Sequence, residues 1–152
     1  MTTLYLDGDL LAHRIAASLE ERYVECLLPS GAMKIFKHVT AMKEWLGEND
    51  YSVDDVTFEH KADVASHWEK PAQEILDWKL NGLNYWVKPS HVELVLGIGQ
   101  SFRVDACKLS HYKGKRANAH RPSLLSDVRL WLTTKFTTHF ATDGLEGDDL
   151  LV

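Results

Sequence analysis

Three short segments of this chain carry side chains that could do chemistry together. Near the start is Leu4-Tyr5-Leu6-Asp7-Gly8-Asp9, and near the end is Leu145-Glu146-Gly147-Asp148-Asp149-Leu150. Between them lies His111-Tyr112-Lys113-Gly114-Lys115-Arg116. Carboxylates gathered at strand ends suit hard divalent cations, because Mg²⁺ prefers oxygen ligands. A Lys/Arg loop adds an arm for phosphate, and Lys and Arg can stabilise charge that develops on it. Tyr112 can stack on a base or sugar. Together these residues point to metal-dependent phosphodiester chemistry. Each segment also has a plain reading. Asp7-Gly8-Asp9 suits a strand-to-helix turn with Asp9 as the N-cap. Glu146, Asp148 and Asp149 suit the dipole at a helix start, and the basic run suits a solvated loop.

The elements that must position these segments follow from periodicity. Thr3 to Asp7 reads as a buried strand that ends at Asp7. The helix after it carries Leu11, Ile15 and Leu19 as an apolar stripe. Tyr23 to Leu28, then Pro29-Ser30-Gly31, then Met33 to Phe36 predicts a β-hairpin. Val39 to Leu46 predicts a short helix. The stretch 50–67 is ambiguous, with a strand around Val56 to Glu59. Pro71 sits in the first turn of a helix striped by Leu76, Leu80, Leu83 and Val87, with Trp78 and Trp86 in or beside the core. Val92 to Leu96 predicts a strand buried in a parallel sheet, broken by Gly97-Ile98-Gly99. Pro122 opens a helix with Leu125, Val128, Leu132 and Phe136 on one face. A strand near Thr138 to Thr142 leads into the last acidic turn, where Glu146 and Asp149 share a helical face. Strands alternating with helices predict an α/β fold with a mostly parallel sheet and a β-hairpin insert. Sites in such sheets lie beyond the carboxyl ends of the strands, where Asp7 and Glu146 both fall.

Composition bounds the rest. The chain has 152 residues, 45% hydrophobic and 26% charged, as expected of one soluble globular domain over 1–152. No apolar run approaches the roughly 18 residues a membrane span needs, and the N-terminus carries no apolar signal core. Cys26 and Cys107 are far apart and read as reduced thiols, so a cytoplasmic setting is expected. The eight histidines form no ligand-like pattern. Net charge is −5. Arg103, Lys108, Lys113, Lys115, Arg116 and Arg121 face a single acid, Asp105, between 103 and 121. That segment is a basic stripe on an otherwise acidic body, as a phosphate-binding metal enzyme would carry.

With these motifs in order, the chain resembles the phage 5′-3′ exonucleases of the flap-endonuclease-like, PIN-like superfamily. The matching strings are Leu6-Asp7-Gly8-Asp9-Leu10-Leu11, Leu94-Val95-Leu96-Gly97 with Ser101-Phe102-Arg103, Tyr112-Lys113-Gly114-Lys115-Arg116, and Leu145-Glu146-Gly147-Asp148-Asp149. The resemblance spans the whole chain. It implies a three-layer PIN-like (Rossmann-like) domain, with Asp7, Glu146, Asp148 and Asp149 as ligands of Mg²⁺ or Mn²⁺. It implies Lys113 and Arg116 at the base of an arch that grips the 5′ end, and Tyr112 against the terminal nucleotide. Arg103, Lys115 and Arg121 would support substrate binding. The substrate would be DNA with 5′ ends or flaps, or RNA in hybrids, in phage replication. The implied chemistry is two-metal hydrolysis, with water activated at one ion and the leaving oxygen stabilised at the other. Relatives continue into a strand with an S-x-D-x-D-like motif. The chain is therefore expected to be an N-terminal portion, weakly active alone and completed by a downstream polypeptide.

Two other readings are compatible with the same residues. In one, resembling haloacid-dehalogenase phosphatases, Asp7 is a nucleophile, Asp9 a general acid, and Gly147-Asp148-Asp149 the Mg²⁺ motif. Leu10-Leu11 stands there in place of the usual Gly-Thr. In the other, the chain is a non-catalytic nucleic-acid-binding module.

Overall fold

The computed structural model describes residues 2–98, 120–142 and 145–151, with Asp148 described by its backbone alone. The chain packs as two compact units, Met1–Leu19 with His67–Val152, and Glu20–Ser66.

The first unit is α/β. Strand β1 (Thr3–Asp7), β5 (His91–Gly97) and β6 (Thr137–Ala141) form a sheet in the order β1-β5-β6. Both pairings are parallel, with Asp7 opposite Val95 and Gly97 opposite Ala141. Parallel neighbours need long crossovers, usually helical. Helices α1 (Gly8–Ser18) and α3 (Glu69–Trp86) lie between β1 and β5 in the chain, and α4 (Leu125–Thr133) lies between β5 and β6. The central strand β5 is the most apolar, as predicted: Leu94, Val95 and Leu96 are all buried. Leu94 and Leu96 share one face of the strand and pack with Ala12, Ile15 and Ala16 of α1, Ala72 and Leu76 of α3, and Val128 and Leu132 of α4. The opposite face carries Tyr5 of β1, Glu93 and the buried Val95 of β5, and His139 of β6. There His139 Nε2 lies 2.6 Å from Glu93 Oε2, and the Tyr5 ring meets the His139 ring edge-on at 5.8 Å.

Several local expectations shift. The buried face of α1 is Ala12, Ile15 and Ala16, with Leu11 and Leu19 only partly buried. Small side chains let the helix lie close to its neighbours, so the alanines take the centre of the contact. Trp78 and Trp86 are not in the core; they are 74% and 81% exposed. Residues two apart on a helix face opposite ways, so burying Leu76 turns Trp78 outward. Val87 is also exposed, because α3 ends at Trp86 before the stripe completes another turn. The helix after Pro122 starts at Leu125, and Phe136 packs against the core from beyond its end.

The second unit is an antiparallel sheet of β3 (Met33–Phe36), β2 (Glu20–Leu27) and β4 (Thr57–Val64), in that order. Strands β2 and β3 form the predicted hairpin. Gly31 turns it at φ +84°, a conformation that glycine adopts without steric cost. Strand β4 pairs along the whole of β2 and is longer than the segment predicted around Val56 to Glu59. Helix α2 (Val39–Glu48) follows β3, with the His38 ring accepting from Ala41 N–H at its start. Met42 and Leu46 of α2 pack on Val24, Cys26 and Leu28. Cys26 is buried and unbridged, and burial pushes its thiol pKa up. The insert is therefore larger than a hairpin: it has its own sheet, helix and core.

Candidate active site

Strand β1 ends at Asp7, and α1 begins one residue later. The Asp7 backbone is extended, and its Oδ1 accepts the Leu10 N–H at 2.9 Å. Asp7, not Asp9, is thus the N-cap. The reason is the closeness of strand end and helix start. A Cβ on Gly8 would lie 2.7 Å from Leu94 Cγ, 2.8 Å from Leu96 Cδ2 and 2.8 Å from the Val95 carbonyl oxygen. Only glycine can make the first helical residue there, so the cap falls on the residue before it.

That leaves the Asp9 side chain for another task. Its Oδ2 accepts the Gly97 N–H at 2.7 Å, and its Oδ1 lies 3.2 Å from Arg129 Nη2. The same Arg129 nitrogen donates to the Gly97 carbonyl at 2.5 Å. Asp9 and Arg129 together hold both backbone polar groups of Gly97, the last residue of β5. Sequence reading missed Arg129. The available signal was that it is the only basic residue in the 125–133 helix, beside the buried Val128. Arg129 and Asp9 are both partly open to solvent, which screens the ion pair; the charge-assisted bond to the carbonyl carries more. Arg129→Ala is expected to lower the stability of the first unit by about 1–2 kcal/mol, read as a shift in the urea midpoint. Arg129→Lys should recover only part of it, because an ammonium lacks the planar fork.

The second acidic segment reaches the same place. Gly147–Leu150 forms a 3₁₀ turn, not the start of an α-helix as expected. The Glu146 N–H donates to Asp149 Oδ2 at 2.8 Å, and the Asp149 N–H donates to the Glu146 carbonyl at 3.0 Å. The Asp149 carboxylate thus closes the turn on itself. Gly147 is buried, and a Cβ on it would meet Gly97 N at 3.4 Å and Asp9 Oδ2 at 3.6 Å. The Glu146–Asp149 turn therefore sits against the end of β5, beside Asp9, while Asp7 ends the neighbouring strand at the same edge of the sheet. Segments at the two ends of the sequence meet here, at the carboxyl edge of the parallel strands.

Arg103, Tyr112, Lys113, Lys115 and Arg116, and the side chain of Asp148, lie outside the described residues. Arg121 is exposed. Among the described residues, no group of three or more His, Cys, Asp or Glu is gathered closely enough to hold a metal ion. Mg²⁺ is commonly held by one or two carboxylates, with waters completing its octahedron. Asp7 with Glu146 or Asp149 has the right donor chemistry for that. Asp9 has a partner on each oxygen, which suits a general acid poorly. Among the described residues, no helix is long and apolar enough to cross a membrane. Comparisons with protein-family models, with curated proteins and with solved structures find no match.

Proposed function

We propose that this chain is the catalytic portion of a divalent-metal-dependent 5′-3′ exonuclease or flap endonuclease with a three-layer PIN-like fold, acting on DNA in the cytoplasm. The observation that carries this reading is the packing of the Glu146–Asp149 turn against Gly97 and Asp9, at the sheet edge where β1 ends in Asp7. Arg129 offsets the charge of Asp9, and a divalent cation would offset the repulsion among the acids that remain at this edge.

In this reading Asp7, Glu146, Asp148 and Asp149 hold Mg²⁺ or Mn²⁺. A metal held by these carboxylates would supply charge neutralisation at the phosphate and activation of water. Asp9 and Arg129 fix the end of β5, and so the backbone against which the acidic turn rests. Lys113 and Arg116 grip the phosphates at the 5′ end, with Tyr112 against the terminal nucleotide and Arg103, Lys115 and Arg121 along the strand. The assay is release of 5′ nucleotides from double-stranded DNA with Mg²⁺ or Mn²⁺, against an EDTA control. Cleavage that needs the metal supports the reading. DNA binding with no cleavage, both alone and with a downstream polypeptide, favours the non-catalytic module.

The basic segment has its own test. Lys113→Ala and Arg116→Ala are each expected to weaken binding to 5′-ended DNA. Each should also reduce the slope of log affinity against log salt by about 1, because one phosphate contact and its released counterion are lost. Unchanged slopes in both variants would place Lys113 and Arg116 outside the substrate path.

A further inference from the structure

The C-terminal half of α3 presents an aromatic strip to solvent. Trp78, Tyr85 and Trp86 are 74%, 75% and 81% exposed. Positions 78, 82, 85 and 86 lie on one side of a helix by their spacing. Position 82 is glycine, and a Cβ there would meet nothing within 4 Å. The strip is therefore open in its middle, with Trp78 and Tyr85 about 10 Å apart along the axis. Tyr85 and Trp86 meet edge-on at 5.2 Å, and Lys79 Nζ lies 5.6 Å from the Trp78 ring. Exposing three large aromatic rings to water is unfavourable unless something covers them.

The surrounding charges indicate what covers them. From Trp78 to Lys88 the sequence WKLNGLNYWVK holds two lysines and no acid, in a chain of net charge −5. Asn81 is exposed on the flank of the strip, four residues before Tyr85. The nearest acids precede the strip: Glu74, and Asp77, which accepts from the Gln73 amide at 2.8 Å. Flat rings flanked by cations, with no acid among them, match a partner with stackable bases and a phosphate backbone.

We propose that the strip Trp78–Lys88 docks a single strand of nucleic acid, with Trp78, Tyr85 and Trp86 stacking on bases and Lys79 and Lys88 beside the phosphates. The proposal rests on the reading that the chain handles nucleic acid, but not on hydrolysis. The strip is a separate subsite from the acidic edge. α3 ends four residues before β5 begins, so its C-terminus lies toward the amino edge of the sheet, opposite Asp7. The 18 residues of α3 span roughly 27 Å. A strand held here would be anchored well away from the hydrolytic edge.

The test uses the full chain in EDTA, where nothing is cleaved, and a fluorescein-labelled oligothymidylate read by anisotropy and by tryptophan quenching. Trp78→Ala, Tyr85→Ala and Trp86→Ala are each expected to weaken binding about tenfold, with Trp78→Phe retaining most of the affinity. Binding to blunt duplex DNA should change less than about twofold, because its bases are already stacked. The replaced side chains are exposed, so the variants keep the core. A triple alanine variant that binds the oligothymidylate like the parent overturns the proposal. So does a parent chain that self-associates through the strip with no effect of the variants on oligonucleotide binding, which would make a second copy the occupant. Failure of Mg²⁺-dependent cleavage alone leaves this binding assay readable, so the two readings fail separately.

Discussion

Asp7→Asn is expected to reduce metal-dependent release of 5′ nucleotides at least about a hundredfold while the chain stays folded. The substitution separates the observed helix cap from the metal ligation that the proposed function assigns to the same side chain. As N-cap of α1, its Oδ1 accepts the Leu10 N–H, and an asparagine oxygen can accept that bond equally well. As a metal ligand it needs its negative charge, which the amide lacks. The stability cost should be limited to the lost charge at the helix start, about 0.3–1 kcal/mol. Asp7→Ala removes both jobs and should cost about 1 kcal/mol for the cap as well. Activity and thermal midpoint measured together decide between the roles. Mn²⁺ binding followed by electron paramagnetic resonance gives a readout that does not depend on turnover. Full cleavage and unchanged Mn²⁺ binding in Asp7→Asn would leave Asp7 as a helix cap and nothing more.

Gly8→Ala should be the most damaging single methyl in the described structure. The added carbon would sit 2.7–2.8 Å from two leucine side chains and from the Val95 carbonyl oxygen. The leucines belong to the central core and the carbonyl to the central strand, so no flexible tip can give way. Overpacking of this kind costs about 1–3 kcal/mol and occasionally more; the upper end is expected, because backbone is among the contacts. For a domain of this size, about 3 kcal/mol lowers the midpoint by roughly 6–12 °C. The shift should appear in the unfolding of the first unit, not in that of residues 20–66. Because Gly8 lies between Asp7 and Asp9, any relaxation also moves the acidic edge, and metal-dependent activity should fall with stability. An alanine variant with the parent's midpoint would mean that β1 and α1 do not pack on β5 as closely as described.

Much of the frame was legible before any coordinates. The bounds of β1, the hairpin through Gly31, the buried run of β5 and the strand leading to the acidic turn all follow from local signals. These signals are short-range: alternation, turn residues, and apolar runs of strand length. The end of β1 at Asp7 was also legible, and the Glu146–Asp149 turn, expected just past a strand end, packs against the end of β5 beside Asp9.

The tertiary structure decided what those signals leave open. Periodicity marks a face as apolar but does not say which residue sits at the centre of the contact. So Ala12 and Ala16 displaced Leu11 and Leu19, and burial of Leu76 turned Trp78 to solvent. The capping role passed from Asp9 to Asp7 because β5 approaches Gly8 too closely for any side chain, a contact across more than 80 residues of sequence. Asp9 then found the Gly97 N–H 88 residues away, and Arg129 joined it from a third element. The 20–66 insert closed into its own unit because β4 pairs along all of β2, giving Val24, Cys26 and Leu28 a local core. The sequence by itself determined which segments carry acid, base and apolar runs, since those are properties of neighbours in the chain. Only the tertiary structure decided which carboxylate caps, which one pins a strand and which closes a turn, because those roles depend on donors and close contacts that the order of residues along the chain does not show.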